Sequence, residues 1–278
     1  MRIDLLTLFP EMCEAVMSES IIGRARRGGF LQVCCHQIRQ YAYDKHQRVD
    51  DCPFGGGKGM LMMAEPIAAC IDDLTAHLGE KPHLIYMSPL GKVLNQQRVR
   101  ELARMDNIAI LCGHYEGVDE RILDTYVDEQ ISLGDFVLTG GELPALALAD
   151  AVSRMIDGVL ADSACFEEES HYAGLLEYPQ YTRPREFEGL SVPAPLLGGS
   201  HAQIAEWQLE QSLLITLRRR PEMAEAYLAG RKLSRAQKRV VERVRAQIAE
   251  EEKEKREQER RKRALFLCSL AASGRGRR

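Results

Sequence analysis

Four segments of the chain crowd glycine against polar and charged residues: FGGGKGM at residues 54–60, MSPLGK at 87–92, CGHYEGVDER at 112–121 and SLGDFVLTGGELP at 132–144. Glycine permits positive φ and lets backbone N–H and C=O groups come close to a ligand, so such segments can build a pocket from main-chain groups. One alone reads as a tight turn. Three of the four begin where an apolar run ends, and together they describe a pocket at strand ends. Familiar nucleotide cradles are missing. The P-loop pattern fails at both ends around Gly57 and Lys58, because Cys52 stands where its first glycine belongs and Gly59 follows the lysine. The absence of G-x-G-x-x-G removes the usual dinucleotide fingerprint, and neither G-x-S-x-G nor H-E-x-x-H supports a serine hydrolase or zincin.

The elements that must position these loops are legible as alternating patterns. Apolar runs recur at residues 3–9, 31–38, 84–87, 108–112 and 126–133, with helix-like stretches at 65–78, 95–104 and 143–156. That order predicts an α/β domain with a mostly parallel sheet over residues 1–160. Residues 161–199 turn acidic and then proline-rich, which predicts an interdomain linker. Ser200 is placed to cap a helix whose stripe is Ile204, Trp207, Gln211, Leu214 and Leu217, interrupted by Pro221. A small helical domain over 200–248, then a charged helix and a disordered GRGRR tail over 249–278, complete the expected organisation.

Composition limits the class. With 278 residues, 45% apolar, 28% charged and a net charge of -4, the chain can bury a core and is not globally disordered. Its apolar run at 264–272 falls short of the roughly 20 residues that span a bilayer, so no membrane segment is expected. MRIDLLTLFP, with Asp4 inside it, reads as a first core strand and not a secretory signal. Eight cysteines show no C-x-x-C pair and no histidine at finger spacing, which predicts free thiols and a cytoplasmic protein. Residues 1–217 carry 17 Lys and Arg against 32 Asp and Glu, whereas 218–278 carry 20 against 9. Two readings of that basic end stand open: a grip on a polyanion such as nucleic acid, or a solvated helix laced by pairs such as Glu251 with Lys255.

MSPLGK, GHYEGVDER, SLGDFVLTGGELPA and GLLEYPQYTRP, in this order and spacing, closely resemble the bacterial tRNA (guanine-N1)-methyltransferases of the knotted SPOUT superfamily, over about residues 1–248. The resemblance implies an α/β sheet whose C-terminal part passes through a trefoil knot, followed by a small all-α domain. It implies that S-adenosyl-L-methionine binds through Tyr86, Met87, Ser88 and Pro89, through Gly113 and Glu116, and through Leu133, Gly134, Asp135, Phe136, Val137, Leu138, Gly140, Gly141 and Pro144. It also implies a homodimer whose site uses both subunits and whose substrate is the tRNA anticodon stem-loop. The product would be 1-methylguanosine at position 37, just 3′ of the anticodon.

Guanine N1 attacks a sulfonium methyl only as its proton leaves, so the reaction needs a base at N1–H and a cation near O6. By the same resemblance these are Glu169, where relatives usually have Asp, and Arg154. The resemblance also links Glu116 to a magnesium requirement near the cofactor carboxylate. Other departures from the family pattern are His114 for Arg, Phe136 for Tyr, and Cys52 and Lys58 in the DCPFGGGKGM loop at residues 51–60. Methylation at another RNA position, and RNA binding without catalysis, are the alternatives on sequence alone.

Overall fold

The computed structural model describes residues 1–56, 59–160 and 169–273, with side chains as far as residue 263. Lys58, the Glu167 and Glu168 part of the acidic run, and the GRGRR tail therefore lie outside the described residues. The chain divides into two compact units, Met1–Cys165 and Phe166–Arg278.

In the first unit β1 (Arg2–Thr7), β2 (Gln32–Gln37), β5 (His83–Val93), β6 (Asn107–Leu111) and β7 (Glu129–Ser132) form one sheet in the order β2-β1-β6-β5-β7. Every pairing in it is parallel, so the α/β class with a mostly parallel sheet is the one observed. The central strands β1, β5 and β6 are apolar on both faces, as a sheet covered on both sides requires. Ile3, Leu5, Ile85, Ile108 and Ile110 pack on one face, beneath α1 (Pro10–Met17), α2 (Ser20–Arg27), α4 (Gln96–Leu102) and α6 (Glu142–Ser153). Leu6, Leu84, Tyr86, Ala109 and Leu111 pack on the other, beneath α3 (Ala64–Leu78) and α5 (Glu120–Tyr126). Local chemistry sets the ends of these helices. Gly79, at φ +79°, ends α3 in a left-handed cap, and the Asn95 side chain accepts the Arg98 N–H at the start of α4. A short ladder of β3 (Asp50–Asp51) and β4 (Leu61–Met62) stands apart from the sheet.

Asp4, the charge inside the first apolar run, is fully buried, and Arg2 donates to it twice, at 2.8 and 2.9 Å, while His36 lies at 2.7 Å. Burial alone would raise its pKa, but the hydrogen bonds from His36 and Arg2 outweigh that and hold the carboxyl below its ordinary value. Asp4→Asn is expected to cost about 2–4 kcal/mol at neutral pH, since it leaves two polar partners uncompensated. A folded-state pKa below the unfolded one stabilises above about pH 3.9 and ceases to do so as pH falls through the folded value, so the gap between variant and wild type should close in acid. Chemical denaturation across pH measures it.

The MSPLGK segment is not a loop beyond a finished strand. Residues Ser88–Gly91 bulge out of β5, and Lys92 and Val93 rejoin the ladder opposite Ile131 and Ser132. Gly91 allows this, because a Cβ there would lie 2.5 Å from the Gln130 backbone.

The second unit departs from a bare linker followed by helices. It holds a hairpin of β8 (Glu186–Phe187) and β9 (Leu190–Ser191), then α7 (Ala194–Leu197), α8 (His201–Arg219), α9 (Pro221–Ala229) and α10 (Arg235–Ser273). Its core joins Leu175, from within the expected linker, to Leu213, Leu214, Val240 and Val244. Ser200 occupies the N-cap of α8 without a side-chain bond, its carbonyl instead accepting the Ile204 N–H at 2.9 Å. On α8, Leu214 of the expected stripe is buried and Leu217 packs against the core, while Ile204 and Trp207 stay half-exposed. One helix, α10, runs unbroken across the boundary expected near residue 248. Glu251 pairs with Arg218 of α8 in place of the expected Lys255, and Arg243 holds Glu206 and Glu210. The basic unit is thus laced to itself by ion pairs between helices.

Candidate active site

The C-terminal ends of β5, β6 and β7 open into a cleft of about 230 Å³. Tyr86, Met87, Ser88 and Pro89 line it from β5 and its bulge, and Gly113 and Glu116 from the loop after β6. The segment after β7 supplies Leu133, Gly134, Phe136, Val137, Leu138, Gly140 and Gly141, and α6 supplies Pro144. Of the residues expected to bind the donor, Asp135 does not line the cleft. Ile131, Ser132, Thr139, His114, Tyr115 and Gly117 join it, although sequence reasoning had not named them as lining residues.

The chain returns from the edge strand β7 across the ends of β5 and β6, and Gly141 N–H donates to Gly113 O at 2.8 Å where the two loops meet. A Cβ on Gly141 would stand 2.6 Å from Gly113 N and 2.7 Å from Cys112 Cα, and one on Gly113 2.7 Å from Tyr86 Oη. Main chain therefore packs directly on main chain, as the glycines suggested. The Ser132 hydroxyl holds the turn at Gly134 through its N–H and carbonyl, both at 3.1 Å. Tyr115 takes φ +60°, a left-handed conformation rarely adopted by a residue with a side chain.

A buried acid underlies this junction. Glu142, 3% exposed at the first turn of α6, accepts from Thr7 Oγ1 at 2.7 Å through one oxygen and lies 2.8 Å from His114 Nε2 through the other. It ties the ends of β1, β6 and α6 together. Sequence reasoning missed it because GGELP reads as a turn; the available signal was an acid at a helix start, where the dipole favours negative charge. Among the described residues that line the cleft, Glu116 is the one carboxylate. Burial, with the Glu120 charge adding, pushes the Tyr86 phenol above its ordinary value, so it is neutral there at physiological pH. Among the described residues no group of three or more His, Cys, Asp or Glu is placed to hold a metal ion.

Arg154 is not among the residues that line the cleft. Arg154 closes the C-terminal end of α6, ~15 Å along the helix axis from Pro144 at 1.5 Å per residue. Glu169 is half-buried at the first described position of the second unit, in a turn where Glu177 N–H donates to Ser170 Oγ and His171 N–H to Leu175 O.

Fold and cleft together define an α/β protein with a loop-lined cleft at the ends of its parallel strands. A family model described as tRNA (Guanine-1)-methyltransferase TrmD matches residues 1–226. A tRNA (guanine-N(1)-)-methyltransferase of Ruminiclostridium cellulolyticum is 52% identical over 223 residues, covering 80% of this chain and 96% of that one. One from Actinobacillus succinogenes is 47% identical over 247 residues, covering 89% and 99%. The crystal structure of the tRNA (m1G37) methyltransferase from Aquifex aeolicus superposes with a TM-score of 0.67 at 40% identity, over 80% of this chain and 93% of that one. The chain belongs to the tRNA (guanine-1)-methyltransferase family, and its activity is methyl transfer to guanine in tRNA.

The cleft fits the methyl donor such an enzyme needs. Backbone donors and acceptors beside Ile131, Leu133, Leu138 and Pro144 suit the edge and faces of a purine, and the Glu116 carboxylate favours a cationic centre. Gly141→Ala is expected to weaken donor binding roughly 5- to 100-fold by calorimetry, because its new methyl meets backbone that cannot turn aside.

Proposed function

We infer that the chain moves the methyl group of S-adenosyl-L-methionine to N1 of guanosine 37 in tRNA, in a site completed by a second copy of the chain. The observation that carries this reading is the backbone-built cleft at the junction of Gly113 and Gly141, formed by the same loops whose motifs resemble the family. The return of the chain across β5 and β6 follows the path that the resemblance expects to be knotted.

The donor supplies an electrophilic methyl on sulfur. The chain's own groups do the rest: the three loops hold the donor and exclude water, and Glu116 balances its positive charge. Glu169 accepts the N1 proton, and Arg154 stabilises the negative charge that grows on O6. Arg154 stands too far along α6 to serve the cleft beside Pro144, which supports assigning it to the cleft of a partner copy. Exposed Phe9, Met12 and Val16 form an apolar stripe at the start of the first unit, with exposed Leu143 on α6, a surface suited to that copy. The excess of Lys and Arg after residue 217 supports a salt-dependent grip on phosphates. The magnesium expected at Glu116 finds no support, since among the described residues no cluster of carboxylates is placed to hold it.

The test is methyl incorporation from labelled donor into two tRNA transcripts that differ only at position 37. Transfer to the G37 transcript with none to the A37 transcript supports the reading. Equal transfer to both would overturn it.

A further inference from the structure

In the second unit, outside its aliphatic core, Trp207 of α8 meets two tyrosines from the YPQYTRP segment. Tyr178 lies 6.3 Å from it, centroid to centroid, at 66°, and Tyr181 lies at the same distance at 55°. Trp207 thus meets one tyrosine edge-on and the other at a tilt, stacked flat against neither. Trp207 is only half-buried and Tyr181 is 49% exposed, so this aromatic cluster has not been drawn into the core of Leu175, Leu213, Leu214, Val240 and Val244. Arg183 and Arg185, also exposed, follow Tyr181 at alternate positions. Glu206 and Glu210, the acids flanking Trp207 along α8, are taken up by Arg243 at 3.0 and 2.8 Å.

Half-exposed rings beside arginines are the two parts of a site for single-stranded nucleic acid: a flat π surface for a base and cations for the adjoining phosphates. A duplex offers the phosphates but keeps its base faces covered. We propose that Tyr181 and Trp207, braced by Tyr178, form a stacking platform for an unpaired nucleobase of an RNA loop, with Arg183 and Arg185 contacting its backbone. The proposal rests on the tRNA reading above and adds a second base-binding place, separate from the one that takes the reacting guanosine. The competing role for the same rings is purely structural, pinning residues 178–181 to α8.

Trp207 is the chain's single tryptophan, so its emission reports on the platform directly. Full-length protein is titrated with an anticodon stem-loop RNA and with a blunt duplex of the same stem. Stacking predicts at least twofold quenching by the stem-loop, little change with the duplex, and loss of quenching when one loop position is made abasic. Tyr181→Leu should weaken stem-loop binding roughly 5- to 100-fold while leaving S-adenosylmethionine binding and the thermal midpoint unchanged. Unaltered Trp207 emission from a protein that still binds and methylates tRNA would overturn the platform alone, as would wild-type RNA affinity in Tyr181→Leu. Wild-type protein that neither binds nor methylates tRNA would overturn the platform and the underlying reading together.

Discussion

Replacing Glu169 by Gln is expected to leave S-adenosylmethionine affinity within about twofold of wild type while single-turnover methyl transfer falls roughly 10²- to 10⁴-fold. Glutamine keeps the size of the side chain and most of its hydrogen-bonding reach. What it cannot do is take the imino proton whose departure frees the N1 lone pair. A base acts on the guanosine and not on the donor, so its loss should not register in a calorimetric titration with donor alone. Glu169→Asp keeps a carboxylate, the one that the family resemblance leads one to expect here, and should keep most of the rate. A Gln variant that retains most activity, or one in which both substitutions cost the same, would remove this residue from the role of base.

Arg154→Ala is expected to lower transfer roughly 10²- to 10³-fold, the usual loss when a group stabilising a developing oxyanion is deleted. Its place at the far end of α6 makes the manner of rescue informative. Arg154→Ala protein has an intact cleft, and Gly141→Ala protein has an intact arginine. If a cleft from one copy works with the arginine of the other, mixing the two impaired proteins with subunit exchange, at a donor concentration too low to load the Gly141→Ala cleft, creates one complete site per mixed dimer. Activity should then return to about a quarter of wild type, as expected for random pairing in a twofold dimer. No recovery beyond the sum of the separate proteins would mean that each copy supplies both parts of its own site.

The sequence exposes the sheet because its central strands β1, β5 and β6 are built on runs of apolar residues, and in a parallel sheet covered on both faces burial needs little more than that. It exposes the cleft because main-chain packing as close as that of Gly141 on Gly113 demands glycine. What stays hidden depends on partners distant in the chain. The bulge at Ser88–Gly91 exists only through the register of β5 on β7, and MSPLGK read alone looks like an ordinary loop. Glu142 becomes the anchor of three elements only when Thr7, 135 residues away, and His114 are folded against it. The short helices α1 and α2, eight residues each, carry too little periodicity to stand out, and α2 contains Gly23. Beyond residue 248, alternating charge fits an isolated helix as well as one laced to α8, and the Arg218 partner of Glu251 decides between them.

Nucleoside mass spectrometry of unmodified tRNA, incubated with purified protein and S-adenosylmethionine and then digested, tests the central claim most directly. A new 1-methylguanosine, mapped to the nucleotide 3′ of the anticodon, is the predicted result. Guanosine left unmethylated, or a methyl group found on another atom or another nucleoside, would contradict it.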